Sequence, residues 1–253
     1  MATPQDHETL AAMLLGTSRV VALAGLGLGR DTDQELGAAS SDWAARASLE
    51  ALLTEPDRFW AYYHPAALEI AAREPGPAHR ALARLQVAGI IDNLITQSAD
   101  RLLVKAGATD VVEVHGNVMS AKCERCGERY GLPEVGQLIA DAPDGVPRCT
   151  TPGCGYPLRP SGTLWNEPLL QEGVQRAWDL AGQADAFLVF DSALRTIPIS
   201  LLPSVPLTRN VPLGIVGRTP TQYDRYAKVV IREAAEPVLV ALADMLCPEE
   251  PGA

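Results

Sequence analysis

"RVVALAGLGLGRD", residues Arg19 to Asp31, is an apolar run that breaks into glycines and then meets an arginine. It is short, β-branched and closed by glycine, the pattern of a buried strand running into a tight turn. The dinucleotide fingerprint G-x-G-x-x-G wants glycines at fixed offsets after such a strand. Gly25 and Gly27 occupy the first two offsets; Arg30 takes the third, with Gly29 one place early. A glycine-rich strand-to-helix turn without a ligand explains the stretch nearly as well, so the rest of the chain decides.

Further strands are predicted at "DNLITQ", "DVVEVHG", "AFLVFD", "VPLGIVG" and "AKVVIRE". Helical periodicity covers Gln5 to Leu15, Trp43 to Leu53, Asp57 to Arg73, His79 to Ala88, "ADRLLVKAG", "PLLQEGVQRAWDLAG" and Ala234 to Leu246, with a short helix near Ile199. Strands alternating with helices predict an α/β fold, a parallel sheet covered on both faces. The stretch from about Val118 to Pro160 shows little regular pattern and reads as an insertion. The helical stretch after Arg30 is long for a crossover and reads as a second one. No internal repeat is visible.

The chain has 253 residues, 47% of them apolar, enough for a substantial core. Its formal charge is −10. That balance argues against a general nucleic-acid or anionic-membrane surface, because both need clustered Lys and Arg. No apolar run approaches the roughly 20 residues that cross a bilayer. The opening "MATPQDHETL" is acidic and polar rather than a secretory leader, so a cytoplasmic protein is expected.

Four of the five cysteines cluster as Cys123-x2-Cys126 and Cys149-x4-Cys154, with 22 residues between the pairs. Each short spacing lets two thiolates converge on one tetrahedral ion, and four thiolates leave no open position, so such a zinc is structural. Four reduced, buried thiols are the alternative. Cys247 stands apart as a core or surface thiol.

Strand ends gather the other candidates at one sheet edge, where open α/β sheets place their ligands. His115 closes "VVEV" and carries an imidazole that titrates near neutrality, suited to general-base work; a local hydrogen-bonding role is the alternative. "ITQSAD" leaves Gln97, Ser98 and Asp100 there, "LVFDSAL" leaves Asp191 and Ser192, and "GIVGRTP" leaves Gly217 and Arg218. Helix N-capping accounts equally well for Asp100 and Ser192. Asp191 places a carboxylate where a phosphate would otherwise bind, and repels one. His7, His64 and His79 read as surface or packing residues.

In this order, "VVALAGLG", "FWAYYH", "PAHRALARLQVAG", "ITQSADRLLVKAG", "VVEVHG", the cysteine pairs, "LRPSGTLWNE", "AFLVFDSAL" and "RTPTQYDRYA" resemble the sirtuin family of NAD-dependent protein-lysine deacylases. The resemblance runs from about Arg19 to Leu246. It implies a Rossmann-like large domain (residues 1–29, 76–117 and 161–253) and a small domain made of a helical insertion (30–75) and a zinc insertion (118–160). NAD and an acyl-lysine peptide would meet in the cleft between them. It implies that His115 is the general base, that Gly25, Gly27, Arg30, Gln97, Ser98, Asp100, Asp191 and Ser192 lie at the cofactor, and that Cys123, Cys126, Cys149 and Cys154 bind zinc.

The chain also departs from the family pattern. "GAGIS" reads "GLGLG", with Leu26 for a small residue and Gly29 for a serine, and "DQELGAAS" stands where "GIPDFR" is usual. In "TQNID", Ser98 replaces asparagine and Ala99 isoleucine. "VVxFGE" reads "GTLWNE", with Trp165 for phenylalanine and Glu167 kept. "GTS" reads Asp191, Ser192, Ala193, and Ile215 replaces an asparagine. These changes set beside the deacylase reading two alternatives: a catalytically impaired sirtuin-fold protein that binds a regulatory partner, and an NAD-consuming ADP-ribosyl transferase or hydrolase.

Overall fold

The computed structural model describes residues 4–28 and 41–248. The opening stretch forms β1 (Val20–Ala24), buried along its whole length because strands flank it on both sides and helices cover both faces. The remaining strands are β2 (Asn93–Thr96), β3 (Val112–Glu113), β4 (Ser120–Cys123), β5 (Arg129–Gly131), β6 (Leu158–Pro160), β7 (Ala186–Phe190), β8 (Leu213–Val216) and β9 (Val229–Ile231). Six of them form a parallel sheet in the order β3-β2-β1-β7-β8-β9. The chain order reverses direction between β1 and β7, so the crevice for a ligand opens beyond Ala24 and Phe190.

Strand periodicity sorts the sheet residues into two cores. Val20, Ala22 and Ala24 pack with the helices Pro4–Leu15, Pro77–Val87 and Ala235–Leu246. Val21 and Leu23 pack on the other face with the helix Gln171–Gln183 and the segment from Ile199 to Leu207. A third core joins the helix Pro56–Ala71, through Phe59, Trp60, Tyr63, Ala67 and Ile70, to the cysteine segment, through Val118, Ala121, Tyr130 and Val135.

Three elements differ from the sequence expectation. The cysteine segment is regular: β5-β4-β6 form an antiparallel sheet, followed after β5 by the helix Leu132–Asp141. Its strands are only three or four residues long and carry glycine and charged residues, so they lack the apolar signal of a buried strand. The helix expected over Trp43 to Leu53 is two helices, Ser41–Arg46 and Leu49–Thr54. Ser48 caps the second, its Oγ accepting from Ala51 N at 3.1 Å, while its neighbours Ala47 and Leu49 bond to the Trp165 backbone. The helix in "ADRLLVKAG" is a single turn, Leu102–Lys105, ended by Gly107 at φ 99°. Among the described residues no helix is long and apolar enough to cross a membrane.

Candidate functional site

The register brings the strand ends level. Ala24 pairs with Thr96 on one side and Phe190 on the other, so Gly25, Gln97 and Asp191 emerge together. Gly25 is required by this closeness: a Cβ there would lie 2.1 Å from the Asp191 carbonyl oxygen. Gly27 follows the same wall, its N–H donating to Asp191 O at 3.3 Å. Arg30, Gly29 and "DQELGAAS" lie outside the described residues.

His115 stands one residue beyond Val114, whose N–H donates to Thr96 O at 3.1 Å. Its Nδ1 lies 2.5 Å from the carbonyl oxygen of Gln97. A carbonyl only accepts, so Nδ1 carries the proton and the lone pair of the neutral ring sits on Nε2. The Gln97 side chain reaches past the end of β1 to the end of β7, where Ser192 Oγ donates to its Oε1 at 2.6 Å. Ser192 therefore ties β7 to β2 instead of capping a helix. Asp100 does cap one: its Oδ1 accepts from Leu102 N at 3.0 Å, and Ser98 Oγ donates to its Oδ2 at 2.6 Å. Asp191, in the left-handed region at φ 45°, directs Oδ2 to the N–H of Ala235 at 2.9 Å. Its carboxylate caps the final helix, where the helix dipole favours a negative charge.

Two recesses open along this edge. The larger, about 400 Å³, is lined by Gln97, Asp100 and His115 from the sheet and by Trp43, Tyr63 and Leu164 from across the cleft. The smaller, about 50 Å³, is lined by Gly27, Asp191, Ser192, Arg195, Arg218 and Thr219. Leu26, Gln97 and Thr196 line both.

The wall formed by residues 160–167 is pinned by an ion pair that the sequence did not single out. Arg159 donates to Glu167 through Nη1 at 2.5 Å and Nη2 at 2.6 Å, with both side chains largely buried. Leu164 N–H adds a third bond to Glu167 at 2.9 Å. Burial works against ionisation of Glu167, but the bonds from Arg159 and Leu164 and the charges of Arg159 and Lys122 outweigh it and hold the carboxyl below its usual value. Tyr63 has the opposite environment: burial raises its phenol well above the usual value, against the pull of the Arg159 charge. An arginine and a glutamate bracketing "PSGTLWN" were the available sequence signal for the pin.

The four cysteine sulfurs lie within 4.8 Å of one another. Cys123 Sγ is 3.6 Å from Cys154 Sγ and Cys126 Sγ 3.5 Å from Cys149 Sγ. Tetrahedral zinc at a Zn–S distance of about 2.3 Å requires sulfur–sulfur edges of about 3.8 Å, so the set fits that ion. Tyr130 supports it: its hydroxyl donates to Cys149 Sγ at 3.1 Å and accepts from Thr150 N at 2.8 Å. His64 and His79 are structural. The first bonds Leu132 O through Nε2 at 2.8 Å, and the second accepts from Gly76 N through Nδ1 at 3.2 Å.

Comparison with known proteins follows the same outline. The chain is 31% identical over 249 residues to an NAD-dependent protein deacetylase 1 of Pyrobaculum aerophilum, covering 96% of each chain. It is 34% identical over 235 residues to an NAD-dependent protein deacetylase of Caldivirga maquilingensis, covering 90% of each. The solved structure of Sir2Tm bound to a propionylated peptide superposes with a TM-score of 0.78 at 25% identity, over 94% of this chain and 96% of that one. The model of the Sir2 family matches residues 33–198, from ahead of the helices that face the cleft to beyond β7. With sequence and fold alike over nearly the whole length, the chain belongs to the Sir2 family.

Proposed function

We propose that the protein is an NAD-dependent protein-lysine deacylase with His115 as its base. The observation that carries this reading is the anchored imidazole: Nδ1 is held at 2.5 Å by Gln97 O, and the residue lines the larger recess beside Asp100. Relatives named as NAD-dependent deacetylases and deacylases support it.

The residues present fit the cofactor. Two recesses that share Leu26, Gln97 and Thr196 run along the switch point of the sheet, as an extended two-part ligand requires. Arg195 and Arg218 supply positive charge in the smaller one. Asp191 lines the smaller recess as well, with its Oδ2 held by the Ala235 N–H. Gly25, Gly27, Gln97, Ser98, Asp100, Asp191 and Ser192 would hold the cofactor, with Arg30 assigned to it from the sequence alone. When bound, NAD would supply a glycosidic bond to nicotinamide whose cleavage drives removal of the acyl group.

The chain's own part is positional. His115 takes a proton at Nε2 from a hydroxyl held in the recess, while Gln97 O keeps the ring oriented. The carboxylate of Asp100, fixed by Ser98 and Leu102, orients a polar group beside it. Residues 162–167 line the larger recess, and an acyl-lysine peptide would lie beside them. Cys123, Cys126, Cys149 and Cys154 would hold one structural zinc. Residues 1–29, 76–117 and 161–253 form the large domain in this reading, and 30–75 with 118–160 the small one; the core shared by helix Pro56–Ala71 and the cysteine segment supports that division.

Calorimetric titration of the zinc-loaded protein with NAD tests the reading before any peptide is chosen. Micromolar to submillimolar binding is expected. Absence of heat and of competition at millimolar NAD would sink it.

A further inference from the structure

His115 sits in a turn that one glutamate closes twice. Gly116 N–H donates to Glu113 O at 2.9 Å, which makes Val114 and His115 the two corners of the turn. Val112 and Val114 are buried in the core that includes Ala177 and Ala181, and strand alternation sends Glu113 to the opposite face. There its mostly buried carboxylate closes the turn again: Oε2 accepts from Asn117 Nδ2 at 2.6 Å. Asn117 is fixed as well, its Oδ1 accepting from Met119 N at 3.1 Å, and Val118 N donates to Ala99 O at 3.0 Å.

The other carboxylate oxygen reaches the second half of the site. Oε1 is shut off from solvent and faces Arg101 Nε at 3.2 Å. A carboxylate oxygen so placed needs a cation beside it. Arg101 directly follows Asp100 and holds the left-handed backbone at φ 59°, unfavourable for a residue with a Cβ. One side chain therefore links the turn of His115 to the turn of Asp100. Glu113 itself does not line the larger recess, so its effect on a reaction there passes through those neighbours. The bond from His115 Nδ1 to Gln97 O orients the ring only while the ring's own backbone stays in place.

We propose that Glu113 is a positioning residue for the base. By closing the 113–117 turn through Asn117 it keeps the His115 imidazole on Gln97 O with the lone pair on Nε2, and its pairing with Arg101 holds the carboxylate in place. The proposal rests on the deacylase reading for the reaction that this orientation serves. Misplacing a reacting group by about 1 Å costs up to about 10²-fold in rate, so loosening the turn lowers kcat and leaves ligand binding alone.

Two readouts on the intact zinc-loaded protein test this. Ring nitrogen-15 NMR, with His115→Ala identifying the signal, is expected to show the Nδ1-protonated tautomer of His115 in wild type. The same tautomer is expected in Glu113→Gln, whose amide oxygen still accepts from Asn117. In Glu113→Ala the ring is expected to move to a mixture of both tautomers. Nicotinamide release with NAD and an acetyl-lysine peptide should show a kcat at least about tenfold lower for Glu113→Ala, with both KM values within about twofold of wild type, and Glu113→Gln should recover to within about threefold. Thermal melting establishes that each variant is folded. Asn117→Ala removes the same bond from its donor side and carries the same expectation as Glu113→Ala. A wild-type ring protonated at Nε2, an unmoved tautomer in folded Glu113→Ala and Asn117→Ala, a loss carried by KM instead of kcat, or a Gln variant as impaired as Ala would overturn the proposal. Absence of nicotinamide release from wild type would remove the deacylase reading, and the tautomer measurement, which needs no ligand, would still decide the role of Glu113.

Discussion

Asp191 shows how much one side-chain direction decides. At the end of β7 a carboxylate could face a phosphate or a helix N-terminus, and its Oδ2 takes the N–H of Ala235. Asp191→Ala should destabilise the protein by about 1 kcal/mol through loss of that cap, read as a lower urea midpoint. Asp191→Asn keeps an acceptor and tolerates the left-handed backbone, so its cost should stay under about 0.5 kcal/mol. With the charge held at the helix end, Asp191→Asn should change the NAD dissociation constant less than about threefold. A tenfold tightening in calorimetry would show that the carboxylate does repel the cofactor. The positions of His115, Gln97 and Asp100 were legible in the sequence because they follow apolar runs that had to be parallel strands. The direction of Asp191 was not, because its partner lies 44 residues away.

At the scale of elements, the wall 160–167 depends on the Arg159–Glu167 pair. Glu167→Gln removes the buried carboxylate from Arg159, leaving it only the half-exposed Glu124 as an anion, and should cost about 2 kcal/mol in urea unfolding. The folded carboxyl lies below the glutamate value of 4.5, so the pair's stabilisation is fully present above that value and is lost as pH falls through the lower folded value. The difference in urea midpoint between wild type and Glu167→Gln should therefore hold at neutral pH and shrink in acid; a difference independent of pH would contradict the assignment. The same loop explains the split of the expected helix after Trp43. Local periodicity favoured continuity, but backbone bonds from Trp165 to Ala47 and Leu49 won. Tyr63 and Ile70 carried a core signature in their spacing, and a helix face alone does not reveal that part of it lines a recess.

Across the whole molecule, two sources of stability are separable. The six-stranded sheet rests on two apolar cores, whereas the β5-β4-β6 sheet has strands of three or four residues, a share of the third core and four sulfurs arranged for one ion. Sheets that short are marginal without a staple. Elemental analysis should give one zinc per chain. Removing it under reducing conditions should raise amide exchange across residues 118–160 first, while β1 and β7 stay protected. Uniform loss of protection would contradict a locally structural metal. The cysteine spacing announced this site; the small sheet around it stayed hidden because strands of three or four residues are too short to show an alternation, although Ala121, Tyr130 and Leu158 join the third core.

The measurement that bears most directly on His115 is the stoichiometry of nicotinamide release. Wild-type protein with NAD and an acyl-lysine peptide should release one nicotinamide for each lysine freed, and His115→Ala should slow this by roughly 10²-fold or more while binding the peptide normally. Deacylation without nicotinamide, or an undiminished His115→Ala rate, would contradict the account.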